Sequence, residues 1–112
     1  MAKVIIALSL EEEINKKFKQ QSVEIFLLLY SLQENPCKGK EVCAIGKILV
    51  KEIKYQKFRF YFLTDGHKIK ILKSSELKDL VIKFVRMSDK KDQQKTIEEI
   101  RIVLRNLGDE GF

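Results

Sequence analysis

The stretch KEIKYQKFRFYFLTDG, residues 51–66, sets four cations, Lys51, Lys54, Lys57 and Arg59, among the aromatics Tyr55, Phe58, Phe60 and Tyr61. These residue types suit a surface that holds a phosphate backbone. A guanidinium is always charged and offers two parallel donors to a phosphate, and a lysine adds a compact point charge. Period-two spacing puts Phe58, Phe60 and Phe62 on one strand face. It leaves Arg59 and Tyr61, followed by Leu63, on the other. The phenylalanines therefore read as core and Arg59 as presented to solvent. A competing reading makes Arg59 the partner of Glu52 in a cross-strand ion pair. Tyr55 can act as an acid or base or stack on a nucleobase, or simply pack.

The charge of the whole chain points the same way. Its 112 residues carry 22 Lys and Arg against 16 Asp and Glu, a net charge of +6. Residues 38–91 hold 15 basic and 6 acidic side chains, so all of the excess lies in the middle of the chain. Concentrated positive charge is the electrostatic footprint of nucleic-acid binding, although lysines used for solubility would give the same totals. Lys83, Arg86, Lys90 and Lys91 extend the basic region. Cys37 and Cys43, with His67 the single histidine, lack zinc-site spacing. The longest apolar runs, such as IFLLLY at 25–30, are too short to span a bilayer. The opening MAKVIIALSL reads as a strand rather than a signal peptide, because EEE follows at 11–13. A cytoplasmic, single-domain protein is expected.

The elements that must position these cations can be read in order. KVIIAL (3–8) reads as a buried strand. Ser9 and Glu12 form a capping-box pattern at a helix start. Ile14, Phe18, Ile25, Leu29 and Leu32 then recur at helical spacing, with QQS at 20–22 breaking the run into a helical hairpin. ENPCKGK (34–40) ends it. From Glu41 to Arg86 the period becomes two. ILVKEIKY (48–55) and FRFYFLT (58–64) read as antiparallel neighbours turning through Gln56–Lys57. TDGHK reads as a second hairpin turn leading to a strand KIKILK (68–73). SSELKDL (74–80) reads as a loop or helical turn and VIKFVRM (81–87) as a last strand. Ser88 or Asp89 is expected to cap a final helix lined by Ile97, Ile100, Val103, Leu104 and Leu107 and stopped at Gly108. The fold class is α+β: N-terminal strand, helical hairpin, antiparallel sheet, C-terminal helix.

This order resembles the RelE/ParE superfamily of bacterial and archaeal toxins, in which a strand and helical hairpin lead into a curved antiparallel β-sheet. LQENPCKGKEV (32–42) is similar to the family's hairpin-to-sheet junction. KEIKYQKFRFYF (51–62) is similar to its central strand, turn and aromatic-Arg-aromatic strand. IKFVRMSDKKDQQKTIEEI (82–100) resembles the HigB-like branch. The likeness covers nearly the whole chain, 1–112, as one RelE-like domain. The extra segment HKIKILKSSELKDL (67–80) departs from it.

The resemblance implies the toxin of a toxin–antitoxin pair, a ribosome-dependent mRNA endonuclease (an mRNA interferase) that inhibits translation. Cleavage would proceed by 2′-OH attack on the adjacent phosphodiester, without metal or cofactor. That chemistry needs a base near the 2′-OH, positive charge on the phosphorane and an acid for the leaving oxygen. Arg59 falls on the family's strand arginine, Lys54 on a basic position of the preceding strand, and Arg86, Lys90 and Lys91 near a further phosphate-holding position. The expected catalytic set is Arg59, Lys54, Arg86 and Tyr55, with Lys51, Lys57, Lys83, Lys90 and Lys91 binding RNA. No Tyr or His follows His67, so the family's C-terminal acid–base residue has no counterpart. Glu52 stands where relatives often carry a basic side chain. Two alternatives follow: a catalytically degenerate RNA- or ribosome-binding module on the same fold, or a ParE-like gyrase inhibitor. Expected partners are a cognate antitoxin, mRNA and the ribosome, with no membrane; self-association into a homodimer is left open.

Overall fold

The structure, a computed structural model, describes residues 2–72, 77 and 79–107. Its elements run β1 (Lys3–Ile6), α1 (Leu8–Phe18), α2 (Ser22–Tyr30), β2 (Lys40–Ile45), β3 (Ile48–Tyr55), β4 (Phe58–Asp65), α3 (Gly66–Ile71), β5 (Val81–Asp89) and α4 (Gln93–Leu107). The class is α+β. The five strands form one sheet in the order β1-β5-β4-β3-β2. β2 to β5 pair antiparallel, but β1 lies parallel to β5, so the sheet is mixed rather than purely antiparallel. Lys3 N–H donates to Leu80 C=O and Ala7 N–H to Phe84 C=O, which ties β1 to the edge of β5.

The helix pair covers one face of the sheet. Ile14, Ile25, Leu29 and Leu32 are fully buried against Ile53, Phe60, Phe62, Ile82 and Phe84. Burying each such side chain contributes about 1.5–3 kcal/mol before entropy is counted. Phe18 stands edge-on to Phe58, centroids 4.9 Å apart, and closes this layer where α1 ends. A single 3₁₀ turn at Lys19–Gln21 separates the helices, as the QQS break implies. The capping roles differ, however. Helix α1 begins at Leu8 with Ala7 as its cap, because the β1 ladder runs straight into the helix. The Ser22 hydroxyl donates back to Lys19 C=O instead of capping α2.

The opposite sheet face is covered as well. Ile97, Ile100 and Leu104 of α4 pack on Ile48, Val50, Tyr61 and Leu63. Val103 is exposed, while Gly108 and the Leu107 side chain lie outside the described residues. The face expected to present Arg59 and Tyr61 to solvent is therefore largely roofed. Tyr61 is fully buried, with its hydroxyl 2.8 Å from Ser88 Oγ, and Arg59 is 9% exposed. The apolar stripe of α4 needed a cover, and that strip of the sheet supplied one.

A second difference concerns TDGHK. Asp65 Oδ1 accepts from the N–H groups of His67 and Lys68, each at 3.0 Å, and so caps helix α3 where a hairpin and a strand were expected. Asp-Gly serves either purpose, and Ile69 and Leu72, three residues apart, both reach the helix-side core. Lys73 and residues 74–76 and 78 of the adjoining segment lie outside the described residues.

Candidate nucleic-acid interface

Two rows of side chains cross the sheet on the α4 side. The first runs Lys40, Glu52, Tyr61, Arg86 and the second Lys54, Arg59, Ser88, set by the pairing of β2 with β3, β3 with β4 and β4 with β5. Helix α4 begins only at Gln93, so its apolar stripe covers the middle of the sheet and leaves the β3–β4 turn end open. The turn itself is tight, with Gln56 in the left-handed region at φ 54°.

At that end Lys54, Lys57, Arg59, Lys90 and Lys91 line a cleft of about 340 Å³ together with Gln56 and Asp89. An adjoining cleft of about 400 Å³ shares Lys54 and Arg59 and is walled by Lys38, Lys40, Glu52 and Gln93. Five cations thus converge on the first cleft from β3, the turn, β4 and the segment before α4, against one carboxylate in its wall. Lys54, Lys57, Lys90 and Lys91 are exposed, and Arg59 forms part of the floor. Lys38 and Lys40, which no sequence pattern singled out, join because register places Lys40 opposite Glu52.

Arg59 is not a solvent-facing arginine. Its Nε lies 3.6 Å from Glu52 Oε2, and both side chains are almost wholly buried. The ion-pair reading of Arg59 and its position in a basic cleft hold together: Arg59 lines both lobes of the cleft, and Glu52 lines the second with it.

The remaining expected site residues lie elsewhere. Tyr55 points to the helix-pair side, where its hydroxyl donates to Glu24 at 2.6 Å; that hydrogen bond, more than burial, raises its pKa. Lys51 is on the same side, 3% exposed, with Nζ donating to Cys37 C=O at 3.0 Å and lying 5.9 Å from the Phe62 ring centroid. Burial pulls its pKa below the ordinary lysine value. Arg86 shares the sheet face of Arg59, but Tyr61 stands between it and Glu52 in their row. It lines a small crevice with Ile100, Val103 and Leu104, and donates to Val85 C=O. Lys83 pairs with Leu63 and Ile5, further along the strand from Arg59. Of the four expected catalytic residues, only Lys54 and Arg59 meet.

His67 is exposed in α3, and no disulfide joins Cys37 and Cys43. Among the described residues no cluster of three or more His, Cys, Asp or Glu side chains could hold a metal, and no helix is long and apolar enough to cross a membrane. No protein-family model, no curated protein and no solved structure matches the chain.

Proposed function

We propose that the chain binds RNA on a RelE-like fold, and that it is the toxin of a toxin–antitoxin pair acting on the cytoplasmic ribosome. In this reading it occupies RNA rather than cutting it. The observation that carries the reading is the convergence of Lys54, Lys57, Lys90 and Lys91 around Arg59 in one open cleft. Strand, helix pair, antiparallel meander and C-terminal helix follow one another in the order that the resemblance implies, which supports the fold assignment. The cleft has no aromatic side chain in its wall, so contact is to the phosphate backbone and not by base stacking.

Metal-independent cleavage is the second reading, favoured by one observation: Arg59, the strand arginine of the resemblance, lies on the cleft floor beside Lys54. Against it, two members of the expected catalytic set, Tyr55 and Arg86, point into other environments.

The test is fluorescence anisotropy with a labelled single-stranded RNA of about 12 nucleotides, titrated across salt concentrations. Log affinity should fall with log salt by about 0.7 for each phosphate neutralised, and Lys57→Ala with Lys90→Ala and Lys91→Ala should flatten that slope. A salt-independent or absent interaction removes the RNA reading. Primer extension on an mRNA undergoing translation distinguishes binding from cutting. Arrest of translation without new 5′ ends is expected, whereas cuts within codons that vanish in Arg59→Ala would install the cleavage reading instead.

A further inference from the structure

Native proteins pair nearly all of their buried polar atoms, so the exceptions mark strain or an absent ligand. Among the described residues two buried side-chain atoms have no hydrogen-bond partner, Glu52 Oε2 and Arg59 Nε. They face each other at 3.6 Å, well beyond the roughly 2.7–2.9 Å of a charge-assisted hydrogen bond. Coulomb attraction remains at that distance, but neither atom gains a hydrogen bond to replace the water it lost. Both residues also line the same lobe of the cleft, with Lys40 and Lys54 beside them.

We infer that Glu52 is an internal competitor for the phosphate site: it holds Arg59 as a placeholder anion, and a phosphodiester entering the cleft takes its place on the guanidinium. This rests on the RNA-binding reading above and adds to it the residue that sets affinity. A phosphate offers the better match, because its oxygens can meet the guanidinium fork in the bidentate geometry that the Glu52 contact lacks. Glu52 remains beside the exchanged pair, where Lys40, opposite it in β2, and Lys54, two residues along β3, supply positive charge. In the absence of RNA, the placeholder spares the fold a buried, uncompensated guanidinium.

The test is Glu52→Gln, which keeps the shape and removes the charge. Affinity for the same labelled RNA should rise about three- to tenfold, and the salt slope should steepen by up to about 0.7 as the Glu52 charge no longer offsets one cation of the cleft. In an Arg59→Ala background the Glu52→Gln gain should disappear. Unchanged or weaker binding by a folded Glu52→Gln protein overturns the inference. If that variant does not fold, the wild type still decides it. The Arg59 Nε–H resonance, assigned by its loss in Arg59→Lys, should shift as RNA is titrated in, and a resonance unmoved at saturation overturns the exchange. Failure of the RNA-binding reading looks different: the wild type then shows no salt-dependent binding at all. Binding that depends on Lys57, Lys90 and Lys91 but ignores Glu52 sinks the inference alone.

Discussion

Lys54 and Arg59 stand directly opposite each other across the β3–β4 ladder. Two like charges at a cross-strand pair oppose sheet formation, and Glu52, diagonal to Arg59, offsets them in part. A hairpin selected for stability alone would not carry this pair, whereas a surface that grips polyanions has a use for it. Lys54→Thr is therefore expected to stabilise the fold by about 0.5 kcal/mol, read as a higher melting temperature, while weakening RNA binding. A variant that loses both stability and binding would show that Lys54 is structural.

Gly39 is expected to be intolerant of any side chain. Its φ of +107° lies in the left-handed region, and a Cβ there would sit 2.9 Å from Phe62 Cζ and 3.0 Å from the Glu52 carbonyl oxygen. Phe62 is fully buried and β3 is backbone, so neither can give way cheaply. Gly39→Ala should cost about 1–3 kcal/mol in chemical denaturation. A loss below a few tenths would mean that the loop before β2 rearranges freely.

Lys51 links the helix-side core to pH. Burial lowers its pKa from the ordinary 10.5, so the unfolded chain holds this proton more tightly than the folded one. The penalty is fully present below the folded value, and stability recovers as pH rises from there toward 10.5. Lys51→Met should thus be more stable than the wild type near neutral pH, with the difference shrinking as the medium becomes alkaline. Urea denaturation of both proteins at about pH 7 and about pH 10 measures it. A gap that stays constant would show that Lys51 titrates alike in both states.

The cap of α3 can be isolated from the rest. Asp65→Ala removes the acceptor for His67 and Lys68 N–H and should cost about 1 kcal/mol. In hydrogen exchange, amides of residues 68–71 should lose protection while those of β3 and β4 keep theirs. Equal loss everywhere would place the effect on the global fold.

The local order of this chain was written in its periodicity. The helix pair, its break at 20–22, the strands at 48–55 and 58–64 with their two-residue turn, the last strand and the C-terminal helix all follow from the sequence pattern. Phe60 and Phe62 are buried as period-two alternation requires. The concentration of cations between residues 38 and 91 is likewise a property of the sequence alone. Three things were not legible. Asp-Gly begins a helix or a hairpin with the same two residues, and only the packing of Ile69 and Leu72 against the core decides. The parallel seating of β1 on β5 depends on contacts across nearly eighty residues of sequence, which no local pattern encodes. Above all, alternation says that Arg59 and Tyr61 leave the phenylalanine face, but not that α4 arrives to cover what they reach. That docking buries Tyr61. It leaves the turn end open, where Lys54, Lys57, Lys90 and Lys91 gather although more than thirty residues separate the two pairs in sequence. Sequence set which side chains carry charge; tertiary packing decided which of them share one cleft, because only the fold brings distant segments within reach of a single phosphate.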